Sequence, residues 1–507
     1  MQTPENVIQD AIEKTGFGKF NLKITTLGAL IFLNCALSNV STGYILPAAA
    51  CDFEMTTVDK GRIIIAPVFG SCIGSVLWGF LADLKGRRIS LMVALFLQAN
   101  AEILMSFASN YWALLFFKFL SGCSMMGEIS ILFTYVGEFQ PIRFQKRVLS
   151  WVNFVMGIAI IILPLLAWVI IPLEFEYRNN YFFFRSWNLF VLICSLPAEI
   201  LGIWLIFCPE TPKYLGETGQ TEKLMKVLTD MYTENIGGTP EEYIIKLANS
   251  GNADLLVLTN SWGNKSDSES HEPFKKRKLG SLLKEFKSQG QYALKAPYLK
   301  RLIIICVCFF CVASAFYSFF IWFPEIFQRL AYFEAHYPNK TVNICSISTK
   351  SSENINMDAS CVREVDLSVY QSLLWQGIIA LIPNILLPLL VDKLGFRFFA
   401  VTFLGIAVGV TTGLIFAISF MQNVVLSSIF LAVMDAAMSV MFSFVVVLFP
   451  TKIRVFASTI SGFSSRLGTM FGNVAVTYLI DDKCIILIAS VSIQLLLATA
   501  LSLTLQA

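Results

Sequence analysis

The sequence predicts an all-α membrane protein with twelve spanning helices in two pseudo-symmetric six-helix halves. Three observations carry this. Of 507 residues, 56% are hydrophobic and only 14% charged, with a mean hydropathy of +0.66; a soluble chain carries roughly a quarter of its residues charged. The charges cluster between long apolar runs. One charged motif occurs twice, at matching places in the two halves.

A span needs about 20 mostly apolar residues. Such runs lie near 24–48, 62–82, 89–108, 112–136, 150–172 and 187–208, then 300–323, 369–391, 398–421, 424–449, 455–480 and 484–504. The chain thus divides into an N-terminal segment (1–23), a first half (24–208), a linker (209–298) and a second half (299–504). The second half carries a long loop at about 324–367. Within the linker, short helices are expected around 220–233 and 240–248. The N-terminus is polar through Lys23, unlike a cleaved signal peptide.

Basic residues orient the chain. The short loops after helices 2, 4, 8 and 10 hold Lys85, Arg87, Arg88, Arg143, Lys146, Arg147, Lys393, Arg397, Lys452 and Arg454; the short loops opposite hold Lys60, Arg62, Arg178, Arg185 and Lys483. This bias puts both termini and the linker in the cytoplasm. The basic run 275–278 then reads as a flank to helix 7 or as an anionic-lipid contact. The 324–367 loop falls outside or in a lumen. It carries Asn339-Lys340-Thr341, a glycan acceptor. An oxidising compartment would join its Cys345 to Cys361; the alternative is two free thiols.

The repeat is Asp83-Leu-Lys-Gly86-Arg87-Arg88 after helix 2 and Asp392-Lys-Leu-Gly395-Phe-Arg397 after helix 8, the first preceded by Gly79. Glycine permits the tight turn. The carboxylate can meet Arg or a helix N-terminus and so latch the halves on the cytoplasmic side.

The net charge of +3 is too small for a nucleic-acid footprint. Neither histidine nor the cysteines stand at metal or redox spacing, and no nucleophile–base constellation appears, so neither a cofactor nor an enzyme is expected. Charged groups at mid-bilayer cost about 2.5–3.5 kcal/mol on insertion scales. Glu128 in helix 4 and Asp435 in helix 10 therefore bind or exchange a cation or proton, or else pair silently with a neighbouring helix. Tyr135 stands seven residues from Glu128, on the same face. Glu102 and Glu199 lie in helices expected at the periphery, where silent pairing is the favoured reading. Asn34 and Asn39 in helix 1 can bond solute or bridge helices.

The first repeat resembles the signature between helices 2 and 3 of the major facilitator superfamily. Pro209-Glu210-Thr211-Pro212-Lys213-Tyr214-Leu215 resembles the motif after helix 6 of sugar and organic-ion porters. Phe449-Pro450-Thr451-Lys452-Ile453-Arg454 resembles the one after helix 10, and Glu138 with Lys146 and Arg147 the one after helix 4. Nearly the whole chain is similar to the synaptic vesicle glycoprotein 2 family, notably at Leu166–Pro172, Ser186–Pro197, Trp322–Glu325 and Pro383–Gly395. The N-terminal arm and the helix 7–8 loop are shorter here than in that family. Where it has two helix 1 acids this chain has Cys35 and Ser38, its helix 4 arginine is Lys118, and its helix 10 Trp-Asn pair and following Asp are Met438, Ser439 and Phe442.

The resemblance implies the major facilitator fold, with helices 1, 4, 7 and 10 around a cavity and aromatics at Trp151, Phe316, Tyr317 and Trp322. It implies a carrier of a small organic solute in the lipid bilayer, working by alternating access with proton or cation coupling. It equally admits a transporter-shaped, non-transporting partner in vesicles. The membrane would be the plasma membrane or that of a secretory or synaptic vesicle; oligomeric state is left open.

Overall fold

The computed structural model describes residues 4–179, 182–249, 290–293, 295–296, 298–336, 344–345 and 365–505. In chain order these form α1 (Pro4–Lys14), α2 (Lys19–Ala49), α3 (Thr57–Lys85), α4 (Arg87–Ser106), α5 (Tyr111–Glu138), α6 (Ile142–Ile170), the hairpin β1 (Glu176–Asn179) and β2 (Phe182–Arg185), and α7 (Ser186–Ile206). Then come α8 (Pro212–Glu217), α9 (Thr221–Ile236), α10 (Pro240–Ala248), α11 (Tyr298–Phe320), α12 (Phe323–His336), α13 (Leu367–Phe416), α14 (Phe420–Leu448), α15 (Thr451–Leu479) and α16 (Cys484–Thr504).

Among the described residues eleven stretches are long and apolar enough to span; α13 supplies two, Leu367–Val391 and Lys393–Phe416, with a break at Gly395, whose φ is 77°. The expected eleventh span, α15, is as long as its neighbours at 29 residues but too polar to count by composition. It is half of a packed pair, so its polar face meets protein instead of lipid. In the first half α2 packs on α6 and α3 on α5; in the second α11 packs on α15 and the first segment of α13 on α14. These pairs correspond under the duplication. Small residues let them close: a side chain at Gly70 or Gly74 would strike α5 backbone, and one at Gly468 or Gly472 would strike α11 backbone. The halves meet where α3 touches α15 and where α6 touches α13.

The linker helices α9 and α10 lie where expected. The N-terminal helix and the hairpin were not foreseen. Val7, Ile8, Ala11 and Ile12 of α1 are buried, and Tyr243 of α10 donates to the Ala11 carbonyl at 2.8 Å. The amphipathic first residues thus cap the linker. The hairpin is held by Arg185, which reaches Asp52 at 2.6 Å and Glu176 at 2.5 Å.

The cysteine expectation needs correction. Cys345 is bonded to Cys484, with their Cα atoms 5.3 Å apart, not to Cys361, which lies outside the described residues. Cys484 is the first residue of α16, so in the sequence a thiol at the end of an apolar run reads as part of that run. Cys51 is disulfide-bonded too. Non-reducing peptide mapping should recover a 345–484 crosslink, and Cys484→Ser should leave Cys345 open to alkylation; a recovered 345–361 crosslink would refute this pairing.

Candidate functional site: a polar cluster, two gates and a seam cavity

Three helices of the first half bring their polar stripes together. Asn34 and Ser38 sit four apart on α2, Gln98 and Glu102 four apart on α4, and Lys118, Ser121 and Glu128 along one side of α5. All are at most 3% exposed. Spacings of three, four and seven repeat on one helix face, so each helix turns its stripe inward. Cys35 donates to Glu128 at 2.9 Å; Ser121 donates to Glu102 at 2.7 Å, and Ser38 donates to it as well. Turned with its nitrogen toward the carboxylate, the Gln98 amide donates to Glu128 at 2.8 Å, and its oxygen lies 2.9 Å from the Ser38 hydroxyl, whose single proton serves either this oxygen or Glu102. Lys118 and Glu128 both lie within electrostatic reach of Glu102. The cluster therefore holds two carboxylates and one ammonium.

Glu102 is buried and paired with Ser38 and Ser121 of the neighbouring helices, as the silent-pairing reading expects, but it stands next to Glu128 and not at the periphery. The signal was available in the i, i+4 pair Gln98/Glu102 matching Asn34/Ser38. Tyr135 does not join the cluster. Its hydroxyl donates to the Pro209 carbonyl at 2.8 Å, tying α5 to the linker. Asn39 lies about 140° round α2 from Asn34, half-buried and outside the network.

In the second half Asp435 accepts from Asn384 of α13 at 2.6 Å. Phe316 lies edge-on to Tyr317 at 4.9 Å and stacked with Phe320 at 5.0 Å. Trp322, just beyond α11, is fully buried and donates to Asn473 at 3.2 Å, so it fastens the end of α11 to α15 and is not among the residues lining the seam cavity. Trp151 is exposed and meets Phe154, apart from the α11 aromatics. A cavity does form across the seam. Val40, Gly43 and Tyr44 of α2, Ile160 of α6, Phe320, Ile321 and Pro324, Leu373 and Gln376 of α13, and Leu431 of α14 line it. Gln376 Nε2 and the Tyr370 hydroxyl are buried without a hydrogen-bond partner. Neither was singled out in the sequence, where a lone Gln in an apolar run carries no pattern.

The motif after helix 2 folds within one half. Gly86, at φ 96°, breaks the chain between α3 and α4, and a Cβ there would lie 2.3 Å from Glu210 Oε2. The α4 N-terminus is capped by Glu210, not by Asp83 as expected: Glu210 accepts from the N–H groups of Arg87 and Arg88 at 3.1 and 3.0 Å. Arg87 stands 3.7 Å from both Asp83 and Glu138, with its guanidinium over the Tyr214 ring. Asp83 is exposed, Gly79 is open to space, and Arg147 is exposed. Arg88 donates to the Leu205 and Ile206 carbonyls at the end of α7. Its counterpart Arg397, also two residues after the motif glycine, donates to the Leu503 carbonyl at the end of α16. The duplication is therefore read in three dimensions: each motif arginine satisfies the orphan carbonyls of its half's last helix. Arg454 turns back to the Phe449 carbonyl. The Asp392 side chain lies outside the described residues, as does Asn339. Among the described residues, no ion pair crosses the halves on this side.

The opposite side is bridged. Lys60 of α3 meets Glu325 of α12 at 2.6 Å, both side chains nearly buried. Arg329 meets Glu325 at 3.0 Å and Asp481 at 2.8 Å, and donates to Thr57 at 3.1 Å. Gly61 abuts Thr477 of α15, where no side chain would fit. Burial alone would raise the Glu325 carboxyl; Lys60 and Arg329 outweigh it and hold it at about 2. The sequence offered no such latch, because Lys60 and Glu325 stand 265 residues apart.

Two six-helix halves, paired helix for helix, bridged on one side and closing over a seam cavity, define an integral multi-pass membrane protein of the two-fold carrier build. The chain belongs to the Major Facilitator Superfamily, whose pattern matches residues 27–473. It is 27% identical over 328 residues to synaptic vesicle glycoprotein 2B of Rattus norvegicus, covering 62% of this chain and 47% of that protein. It is 26% identical over 335 residues to synaptic vesicle glycoprotein 2A of Homo sapiens, covering 63% and 43%. The chain thus spans just under half the length of these relatives. Among solved structures it resembles the xylose transporter XylE from E. coli in a partially occluded inward open conformation, at a TM-score of 0.63 and 13% identity over 96% of this chain and 98% of that one. A D-xylose-proton symporter gives 0.59 and 14%, over 96% and 95%.

Proposed function

We propose that this protein carries a small organic solute across its membrane by alternating access, with the buried acid cluster of the first half taking a proton. The observation that carries the reading is the seam cavity. Both halves line it, its walls are apolar and aromatic, and the Gln376 nitrogen is a buried donor with no partner; at about 20 Å³ it is a nearly closed site that must widen to admit a solute. The gates support it: the outer side is bridged across the halves while the cytoplasmic motif contacts only its own half, which is an inward-facing arrangement. One proton on the Glu102–Glu128–Lys118 cluster would leave it neutral. That is the economical way to keep two acids in the bilayer.

The second reading, a non-transporting vesicle partner, draws on the likeness to synaptic vesicle glycoproteins and on the missing helix 1 acids. The structure weakens the latter point. Cys35 and Ser38, which stand in their places, donate to Glu128 and Glu102 respectively, so neighbouring helices supply the carboxylates. Cytoplasmic termini, a vesicle or plasma membrane, and a glycan on Asn339 complete the proposal. Uptake into proteoliposomes across organic cations, anions, zwitterions and sugars tests it. Accumulation that responds to an imposed proton gradient is expected; binding without uptake of any class supports the vesicle-partner reading instead.

A further inference from the structure

The middle of α15 holds a charge that the first half's cluster does not explain. Arg466 lies 15 residues into a 29-residue helix, the same depth as Asp435 in α14. Among the described residues its guanidinium donates to the Met126 sulfur of α5, at 2.8 Å across the seam between the halves. A thioether is a weak acceptor, and a guanidinium at mid-bilayer calls for an anion. Among the described residues no ion pair joins Arg466 to a carboxylate. Asp435 in turn has only the neutral Asn384 amide. The Tyr317 phenol lies within electrostatic reach of both Asp435 and Arg466. One turn toward the outer side, Leu431 and Phe320 line the seam cavity.

We infer that Arg466 and Asp435 are the two charge-reading ends of the solute site, and that the solute is a small zwitterion with an apolar or aromatic body. Its anionic group pairs with Arg466, its cationic group with Asp435, and its body points toward the seam cavity beside Tyr44 and Gln376, which widens from about 20 Å³ to admit it. This deepens the carrier reading and rests on it for the transport step. A neutral solute would leave both charges unpaired; a simple cation or anion would leave one.

The experiment is thermal stabilisation of the purified full chain by matched probes: phenylalanine, its methyl ester and N-acetylphenylalanine, with leucine and trimethylglycine varying the body. The zwitterions should stabilise the wild type at concentrations at which the ester and the N-acetyl compound do not. Losing a charge-assisted hydrogen bond is worth about tenfold to 150-fold in affinity. Arg466→Gln should weaken the zwitterion by that amount and bring the ester level with it. Asp435→Asn should do the same for the N-acetyl compound. Arg466→Lys, which keeps the charge, should retain the discrimination. Equal stabilisation by all three phenylalanine derivatives, discrimination that survives Arg466→Gln, or no stabilisation by any zwitterion would overturn the inference. Uptake of a neutral solute without charge discrimination would overturn it and leave the carrier reading intact. Charge-selective binding without uptake would do the reverse.

Discussion

Glu128→Gln abolishes or uncouples transport while the protein folds and reaches its membrane, and Asp435→Asn gives a milder defect. Glu128 is fully buried, and its donors come from α2 and α4, helices that must keep their packing through the cycle. Gln keeps the volume and offers an oxygen to Cys35, so packing survives. It cannot exchange a proton, so the cluster loses the step that makes it neutral. Glu102→Gln belongs to the same unit, but the double variant strands the buried Lys118 ammonium and should be less stable than either single one. Asp435 has a single neutral partner in a less enclosed place, so its loss acts on solute affinity before turnover. Uptake of an identified solute by each variant, corrected for surface expression and repeated across pH, is the measurement. Full activity with unchanged pH dependence in Glu128→Gln would reduce the cluster to helix packing.

Glu325→Ala opens the outer side and lowers thermal stability. The substitution strands Lys60, which is nearly buried, while Arg329 keeps Asp481. Removing one partner of a buried pair costs about 3–5 kcal/mol, whereas replacing both with apolar residues is often neutral. The double variant Lys60→Met with Glu325→Leu should therefore melt near the wild type although it too has lost the bridge. Cysteine accessibility from the outer side should rise in both. The pH dependence follows from the carboxyl held at about 2. A lowered acid contributes its stability above the ordinary carboxylate value, roughly 4.3. That contribution is lost only as pH falls through about 2. The latch should thus be indifferent to pH between about 5 and 8 and fail only in strong acid. An outer side that opens between pH 7 and 5 would mean that another group holds it.

The repeat shows how far local pattern reaches. Gly86 and Gly395 both take positive φ, and Arg88 and Arg397 both find the carbonyls of their half's last helix. That symmetry was legible because turn geometry depends on neighbours in sequence. The acid that caps α4 was not legible: Asp83 stood in the motif, but Glu210, more than 120 residues on, arrives at the helix N-terminus. Glu128 was found because a lone carboxylate in an apolar run is costly wherever it sits. Glu102 was set aside because its helix was assigned to the periphery.

The sequence alone determined the membrane class, the spanning helices, the duplication and the existence of buried charges, because a bilayer makes each polar residue in a span an anomaly visible without coordinates. The tertiary structure decided which anomalies meet. Cys345 pairs with Cys484, Lys60 with Glu325, and Gln98 with Glu128. Tyr135 and Trp322 fasten helices instead of lining a site. Such pairings depend on helix rotation and on the register between distant helices. These are fixed by small-residue contacts such as Gly70 on α5 and Gly468 on α11, and no spacing along a single helix encodes its partner's angle.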